Sequence, residues 1–176
     1  MSSSSSSSSE LDRRVWVLEV VLRTLISCLG LVAALLLATD TQLKQIITVH
    51  KKAKFTDMKS LVFLVLANGI AATYSVVQLL RCLVRGSVVQ NKPLAWLIFS
   101  ADQVIAYMIV AAIGAAAESA AFAKLGEAQV EWMKICDMYA KFCNQVGQGI
   151  ATSLFLCATM LFVSALSSFT LFRLYP

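Results

Sequence analysis

The chain has 176 residues, of which 59% are apolar and 14% are charged, and its formal net charge is +5. A soluble domain of this length contains about 45–50% apolar and about 25% charged residues. So few charged side chains cannot cover a water-facing surface, which excludes an ordinary soluble domain, a disordered chain and a collagen-like chain. The composition indicates a protein whose solvent is lipid.

The N-terminus carries a run of eight serines at residues 2–9. A segment this polar has no apolar surface to bury, so we predict a disordered Ser-rich tail over residues 1–12. Residues 13–176 are then predicted to form a single four-span membrane domain.

Four apolar windows account for the composition, at residues 17–38, 61–80, 94–117 and 149–172. Each window reaches the length of about 20 helical residues that crosses the roughly 30 Å hydrocarbon core of a bilayer. Backbone groups in lipid must be satisfied internally, and no strand-like alternation is present, so the windows should be helices. The predicted fold is all-α, an integral membrane four-helix bundle. A cleaved signal peptide is the alternative for the first window, and the charge of Arg23 within that window disfavours it.

An even number of spans puts both termini on one side of the membrane. If that side is the cytosol, six Lys and Arg residues are cytosolic and eight lie opposite, which narrowly disfavours this orientation under the positive-inside rule. Two local features favour it: Arg13 and Arg14 directly precede the first span, and the connection at residues 81–93 is the most densely basic. We predict cytosolic N- and C-termini.

Charged residues within the windows are few: Glu19 and Arg23 in the first, and Asp102 in the third. An ionisable group in a span costs at least about 2.5–3.5 kcal/mol on insertion scales, so it usually has a partner or a task. Arg23 lies about 10 Å of helix beyond Trp16, and Asp102 lies about 12 Å beyond Leu94. Because the first and third spans cross in the same direction, the two charges lie at nearly the same depth. This match predicts a structural Arg23–Asp102 bridge between helices. Two alternatives stay open: pairing of Arg23 with Glu19 or headgroups, and a transport or proton-relay role.

Small residues recur four apart in the second and third windows, a spacing that lets helix backbones approach closely. The pairs are Gly69/Thr73, Ala71/Ser75, Ala111/Ala115 and Ala112/Ala116. We expect them to pack within the bundle, and the alternative is an interface between copies of the chain.

Two of the five cysteines, Cys136 and Cys143, lie in the long third connection. A disulfide between them requires an oxidising space. It also requires that any helix be interrupted between the two cysteines, because two turns of continuous helix separate residues by about 10.5 Å, too far for a disulfide. The pair is a candidate for an outer-loop disulfide, and free thiols are the alternative.

Motifs of enzymes are absent: the chain has no His-Glu-x-x-His, Gly-x-Ser-x-Gly, P-loop or dinucleotide-binding pattern. Its only histidine is His50, and no Cys/His metal spacing occurs, so no catalytic residue, metal or cofactor is predicted. We expect a non-enzymatic protein that works by self-association. The alternatives are a small transporter or channel, and an accessory subunit of a membrane enzyme.

Several stretches carry a family resemblance in a specific order and spacing. They are Arg23 in the first span, FSADQVIAY at residues 99–107, GEAQVEWMKIC at 126–136, FCNQVG at 142–147 and the ending FRLYP. Over residues 13–175 the chain resembles plant Casparian strip membrane domain proteins, and more closely the second subgroup of CASP-like members.

This resemblance implies a plasma-membrane protein, related to the four-span MARVEL proteins, that forms homo-oligomers and hetero-oligomers with family members. It implies that Arg23 and Asp102 are the family's paired intramembrane residues and that Cys136 and Cys143 face the cell wall. Founding members build a scaffold that organises local wall modification. Their first outer loop has a distinctive aromatic segment, whereas the corresponding connection here is rich in lysine and has only Phe55. The resemblance therefore implies a generic scaffold.

Partner expectations follow from the same reading. The bilayer and related family members are the expected partners, with cell-wall enzymes or acidic polysaccharide as further candidates and no nucleic acid. Lys51, Lys52 and Lys54 of the first connection are expected to form a plain solvated face. The alternative is that they contact acidic polysaccharide, or anionic lipid headgroups if the topology were inverted.

Overall fold

The computed structural model describes residues 3–39, 41–46, 49–54, 58–85, 92–126, 136 and 140–174. The elements in chain order are α1 (Ser3–Ala38), β1 (Thr41–Ile46), β2 (Val49–Lys54), α2 (Lys59–Arg85), α3 (Lys92–Leu125) and α4 (Ala140–Leu174).

Each of the four apolar windows lies inside one of the four long helices. All four helices are long and apolar enough to cross a membrane. The prediction of a four-helix membrane bundle is therefore confirmed. The helices extend beyond the windows into charged and polar residues. The 34 residues of α3, for example, span about 51 Å, well beyond the roughly 30 Å hydrocarbon core.

The bounds of α3 follow from local chemistry at its two ends. Pro93 occupies the first turn, where its missing N–H has no helical partner to lose. At the other end, Gly126 has a positive φ of 69°. Its N–H donates to the carbonyl of Phe122 over 3.0 Å, which is the left-handed glycine stop of a helix. The third connection therefore begins at Gly126, later than the predicted residue 118.

A short β-hairpin forms in the first connection, where the sequence predicts only a basic linker. β1 pairs antiparallel with β2, and the register places Lys44 opposite Lys51 and Leu43 opposite Lys52. The β-branched residues Ile46 and Val49 favour extended backbone and pair with each other at the ends of the two strands.

The N-terminal region also differs from its prediction. α1 begins at Ser3, so helical backbone covers most of the stretch at residues 1–12 for which a disordered tail is predicted. Serine is only moderately less favourable than alanine in a helix, and adding residues to an existing helix gains one hydrogen bond each. The long apolar helix that follows supplies the nucleus.

The four helices form a closed ring. α1 packs against α2 and α4, and α3 packs against the same two helices. α1 and α3 therefore lie diagonally across the bundle, as do α2 and α4. The core between them is built from buried aliphatic side chains such as Ile26, Leu64, Ile109 and Met160. Large apolar side chains also cover the outside, as expected for a lipid-facing surface.

The small-residue pairs divide between the inside and the outside of the ring. Ala71, Ser75, Ala112 and Ala116 are buried in the bundle, as expected. Thr73 and Ala111 instead face outward, and Gly69 and Ala115 are half-exposed. Intramolecular packing therefore accounts for only half of the small-residue spacing.

Candidate functional site

Arg23 of α1 and Asp102 of α3 meet in the middle of the bundle. Arg23 Nη1 donates to Asp102 Oδ1 over 2.9 Å, and Nη2 donates to Oδ2 over 3.0 Å. Both residues are buried, with 1% and 0% of their side chains exposed. The fork-to-fork geometry is the strongest form of this ion pair, and it joins two helices that are diagonal rather than adjacent.

Tyr74 of α2 completes the environment of this pair. Its ring centroid lies 5.4 Å from Arg23 Cζ, within the range of a cation–π contact. Its hydroxyl donates to the backbone carbonyl of Ile98, one turn before Asp102 on α3, over 3.3 Å. Asp102 of α3 and Tyr74 of α2 thus both contact the guanidinium that α1 carries.

A second carboxylate extends the cluster toward the end of the bundle where α1 enters. Glu19 Oε1 lies 3.7 Å from Arg23 Nε and 3.4 Å from Arg81 Nη2. Arg81 Nε in turn donates to Gln78 Oε1 over 2.7 Å. We call Asp102, Arg23, Tyr74, Glu19, Arg81 and Gln78 the polar cluster. Its two acids alternate with its two arginines, so their formal charges cancel within the bundle.

A small cavity of about 50 Å³ adjoins the polar cluster. It is lined by Glu19, Arg23 and Arg81 and by Ser167 and Thr170 of α4, among others. Space of this size with polar groups on several sides suits water molecules. Within the described residues, Arg23 Nε has no hydrogen-bond partner, and Glu19 is its ion-pair neighbour. The chemistry of this arrangement is charge neutralisation and positioning of helices.

A second polar contact crosses the other diagonal. Asn68 Nδ2 of α2 donates to Ser153 Oγ of α4 over 2.8 Å, and Ser153 donates to the backbone carbonyl of Gly149 over the same distance. Both side chains are fully buried. Each diagonal pair of helices is therefore joined by a buried polar contact, and the two contacts lie at different depths in the bundle.

The structure joins Cys136 and Cys143 in a disulfide with a Cα–Cα distance of 5.6 Å. Cys143 lies in the first turn of α4, and Cys136 precedes that helix. Their Cα atoms lie closer than the about 10.5 Å by which two turns of continuous helix would separate them along the axis. Cys28, Cys82 and Cys157 are free thiols.

The sequence indicated Arg23, Glu19 and Asp102 as site residues, but it did not indicate Tyr74 and Arg81. Arg81 lies at the end of α2 where α1 enters, so the same depth argument, applied to antiparallel neighbours, would have placed it beside Glu19. Tyr74 carried no signal, because an aromatic residue in a span is ordinarily part of the packing. No group of three or more His, Cys, Asp or Glu side chains that could hold a metal occurs among the described residues.

The family model of the Casparian strip membrane protein domain matches residues 12–159, which include the polar cluster and both diagonal contacts. The chain belongs to the CASP-like family. Among its CASP-like relatives are CASP-like protein 2B2 of Arabidopsis lyrata subsp. lyrata and CASP-like protein 2B1 of Eutrema halophilum. Each is 60% identical over 168 residues, which cover 94% of this chain and 84% of the relative. CASP-like protein 2B1 of Ricinus communis is also 60% identical, with 83% of its length covered.

These relatives confirm the CASP-like family and its second subgroup, as predicted from the sequence motifs. With four apolar helices, this CASP-like chain is a multi-pass membrane protein of a plant family. No solved structure matches it.

Proposed function

We propose that this CASP-like chain is a non-enzymatic scaffold of the plasma membrane. It self-associates, and associates with related family members, into a lateral platform that organises local modification of the cell wall. Both termini lie in the cytosol, so the hairpin and the disulfide face the wall. The family membership supports this role, and the internal geometry of the bundle is consistent with it.

The observation that carries the proposal is the set of small residues left open on the outside of the ring. A Cβ added at Gly114 of α3 or at Gly69 of α2 would meet no atom within 4 Å. Ala111 lies one turn before Gly114 on the same outward face. Lipid supplies no hydrophobic force between helices, so association depends on close backbone approach, and small outward residues permit that approach.

The wall-facing end of the platform carries the lysine-rich hairpin. The register of β1 and β2 brings Lys44 opposite Lys51, and Lys52 and Lys54 follow on the same strand. Four cationic residues within one hairpin favour acidic polysaccharide as a contact of the outer surface. Wall-modifying enzymes are the other proposed partners.

The polar cluster favours a structural role over transport. Both carboxylate oxygens of Asp102 accept hydrogen bonds from Arg23, which leaves this carboxylate engaged within the bundle. A proton relay or an ion path would need this group to exchange partners. A selective, Asp102-dependent flux in proteoliposomes would overturn the scaffold proposal.

Crosslinking in native membranes, followed by mass measurement, tests self-association. We expect the wild-type chain to yield oligomers, and Ala111→Leu or Gly114→Leu to reduce them because a larger side chain separates the backbones. Leucine also favours the helix over glycine by about 0.8 kcal/mol. A loss of oligomers in Gly114→Leu therefore does not result from a weaker helix.

The matched control is Ala158→Leu, which makes the same change at an exposed position of α4. It should leave the oligomers intact. A wild-type chain that crosslinks only as a monomer, or equal oligomer yields in all variants, contradicts the proposed interface.

A further inference from the structure

The outward face of α3 carries two polar side chains in the middle of its span. Gln103 is half-exposed, and Tyr107, one turn later on the same side of the helix, is 68% exposed. Both lie within about 4 Å of helix from the midpoint of the apolar window at residues 94–117. In a bilayer this surface contacts hydrocarbon, whereas tyrosine is enriched at the two membrane interfaces.

These two side chains differ from the exposed threonines of the bundle. The hydroxyls of Thr24, Thr73 and Thr159 each donate to a carbonyl of their own helix four residues earlier, so they need no partner in lipid. Gln103 and Tyr107 make no hydrogen bond with any residue that the structure describes. Polar groups that stay unpaired in hydrocarbon are costly, so another molecule is expected to pair with them.

Small residues continue the same face of α3. Ala111 and Gly114 follow Tyr107 by one and two turns, and both are exposed. A Cβ added at Gly114 would meet no atom within 4 Å. Helices associate in lipid where small residues let the backbones approach and polar side chains hydrogen-bond across the contact. This face of α3 combines the two features without a charged side chain among these four residues.

A second copy of this chain is complementary to the face. Copies of one membrane protein have the same orientation in the bilayer, so a two-fold axis along the membrane normal makes their α3 helices parallel and places each residue near its equivalent. A glutamine amide both donates and accepts hydrogen bonds, so two Gln103 side chains can satisfy each other. The same pairing holds for either orientation of the termini.

We propose that α3 of one copy packs in parallel against α3 of a second copy, with the two Gln103 amides hydrogen-bonded to each other across the two-fold axis. Helical side chains lean toward the N-terminus, so each Tyr107 ring lies over the turn of Gln103 and shields the amide pair from lipid. Ala111 and Gly114 form the close contact of the two backbones. This interface, which rests on the proposed self-association, gives that association a face, a register and a polar contact.

Disulfide crosslinking in native membranes tests the interface. In a Cys28→Ser background, which removes the exposed native thiol, Gly114→Cys should form a covalent dimer on oxidation, because equivalent residues meet at the two-fold axis. The matched control is Ala151→Cys, an exposed position of the neighbouring α4 at a similar distance from the end of its apolar window. It should stay monomeric. Equal dimer yields for the two variants overturn the proposal.

Amine crosslinking of the same membranes, followed by mass measurement, distinguishes a wrong interface from an absence of self-association. It joins copies through their lysines, whichever helices meet. Amine-crosslinked oligomers without a disulfide dimer of Gly114→Cys overturn the α3 interface and leave the proposed self-association intact. Monomers in both measurements contradict the self-association and overturn the interface with it.

Gln103→Leu tests the polar contact. Leucine is similar in size and suits lipid, so the midpoint of thermal unfolding of the single chain should not fall. Energy transfer between labelled copies in liposomes should show a dissociation constant raised about fivefold, which corresponds to about 1 kcal/mol for a hydrogen bond between membrane helices. Gln148→Leu, the same change at an exposed position of α4, should leave the dissociation constant unchanged. Equal dissociation constants for Gln103→Leu and the wild type overturn the proposal.

Discussion

Gly30 of α1 lies directly against the backbone carbonyl of Asn68 in α2. A Cβ on residue 30 would stand 2.9 Å from that oxygen, and 3.0 Å from both Ala72 Cβ and Leu156 Cδ1. Gly30 is buried, so α1 approaches two neighbouring helices at this one level. Because the side chain of Asn68 makes the contact to Ser153, the close approach at Gly30 helps to set the position of the second diagonal.

We predict that Gly30→Ala destabilises the protein by about 1–3 kcal/mol, the usual cost of overpacking a core. The backbone carbonyl at 2.9 Å belongs to a helix and moves only with that helix. The midpoint of thermal unfolding in detergent measures the effect, with a thiol-reactive dye reporting exposure of the buried Cys82 and Cys157.

Gly69→Ala is the matched control, since a Cβ there would meet nothing within 4 Å. It should be neutral or stabilise the helix by about 0.5–1 kcal/mol. Equal unfolding midpoints for the two alanine variants would contradict the close approach of α1 to α2.

Asp102→Asn is predicted to destabilise the protein by about 3–5 kcal/mol, because it leaves a buried guanidinium without its bidentate partner. Exchanging the two residues, as Arg23→Asp with Asp102→Arg, should recover part of the loss. The free energies of unfolding of Arg23→Asp, of Asp102→Arg and of the variant that carries both changes form a double-mutant cycle with the wild type.

The control for this cycle is Glu10→Gln, which removes the exposed Arg14–Glu10 pair of the same helix. An exposed ion pair contributes little, so this variant should unfold like the wild type. If the changes in the free energy of unfolding at Arg23 and Asp102 are additive, the two residues are not coupled, and the proposed bridge between the helices is contradicted.

The Asn68–Ser153 contact is predicted to contribute a coupling energy of about 0.6 kcal/mol and at most about 1.7 kcal/mol, the range for hydrogen bonds between membrane helices. The cycle uses Asn68→Ala, Ser153→Ala and the double variant, measured by thermal unfolding. Thr73→Ala on the exposed face of α2 is the control, since the Thr73 hydroxyl donates to the carbonyl of Gly69 in its own helix. A coupling energy of zero would mean that only packing, and not the hydrogen bond, holds α2 and α4 together at this level.

The cysteines are expected to give a simple thiol count. In denatured, unreduced protein, a maleimide mass tag should add to the three free thiols, Cys28, Cys82 and Cys157. After reduction it should add to all five cysteines. Five adducts without reduction would show that Cys136 and Cys143 are not joined, and Cys157→Ser should lower both counts by one.

The same disulfide reports the orientation of the chain. With cytosolic termini, a membrane-impermeant reductant applied outside intact protoplasts should free Cys143 for an impermeant maleimide. Cys28 lies within the first span and provides the internal control, because it should stay unlabelled until detergent is added. Labelling of Cys143 only after the membrane is opened would reverse the proposed topology.

The sequence predicted the candidate site unevenly. Counting residues along two parallel spans placed Arg23 and Asp102 at one depth, since rise per residue in a helix is constant. It did not indicate that their helices are diagonal, or that Tyr74 and Arg81 join them. It also did not indicate which small residues face inward: Ala112 is buried and Ala111 is exposed, although both belong to equally spaced pairs.

The sequence by itself determined the solvent, the number of spans and the family, because hydropathy and motif order are properties of contiguous residues. Only the tertiary structure decided the order of helices in the ring, the two diagonal contacts and which small residues face outward. In water, an amphipathic pattern shows which face of a helix is buried. In lipid both faces are apolar, so the buried face is decided by contacts between helices distant in sequence.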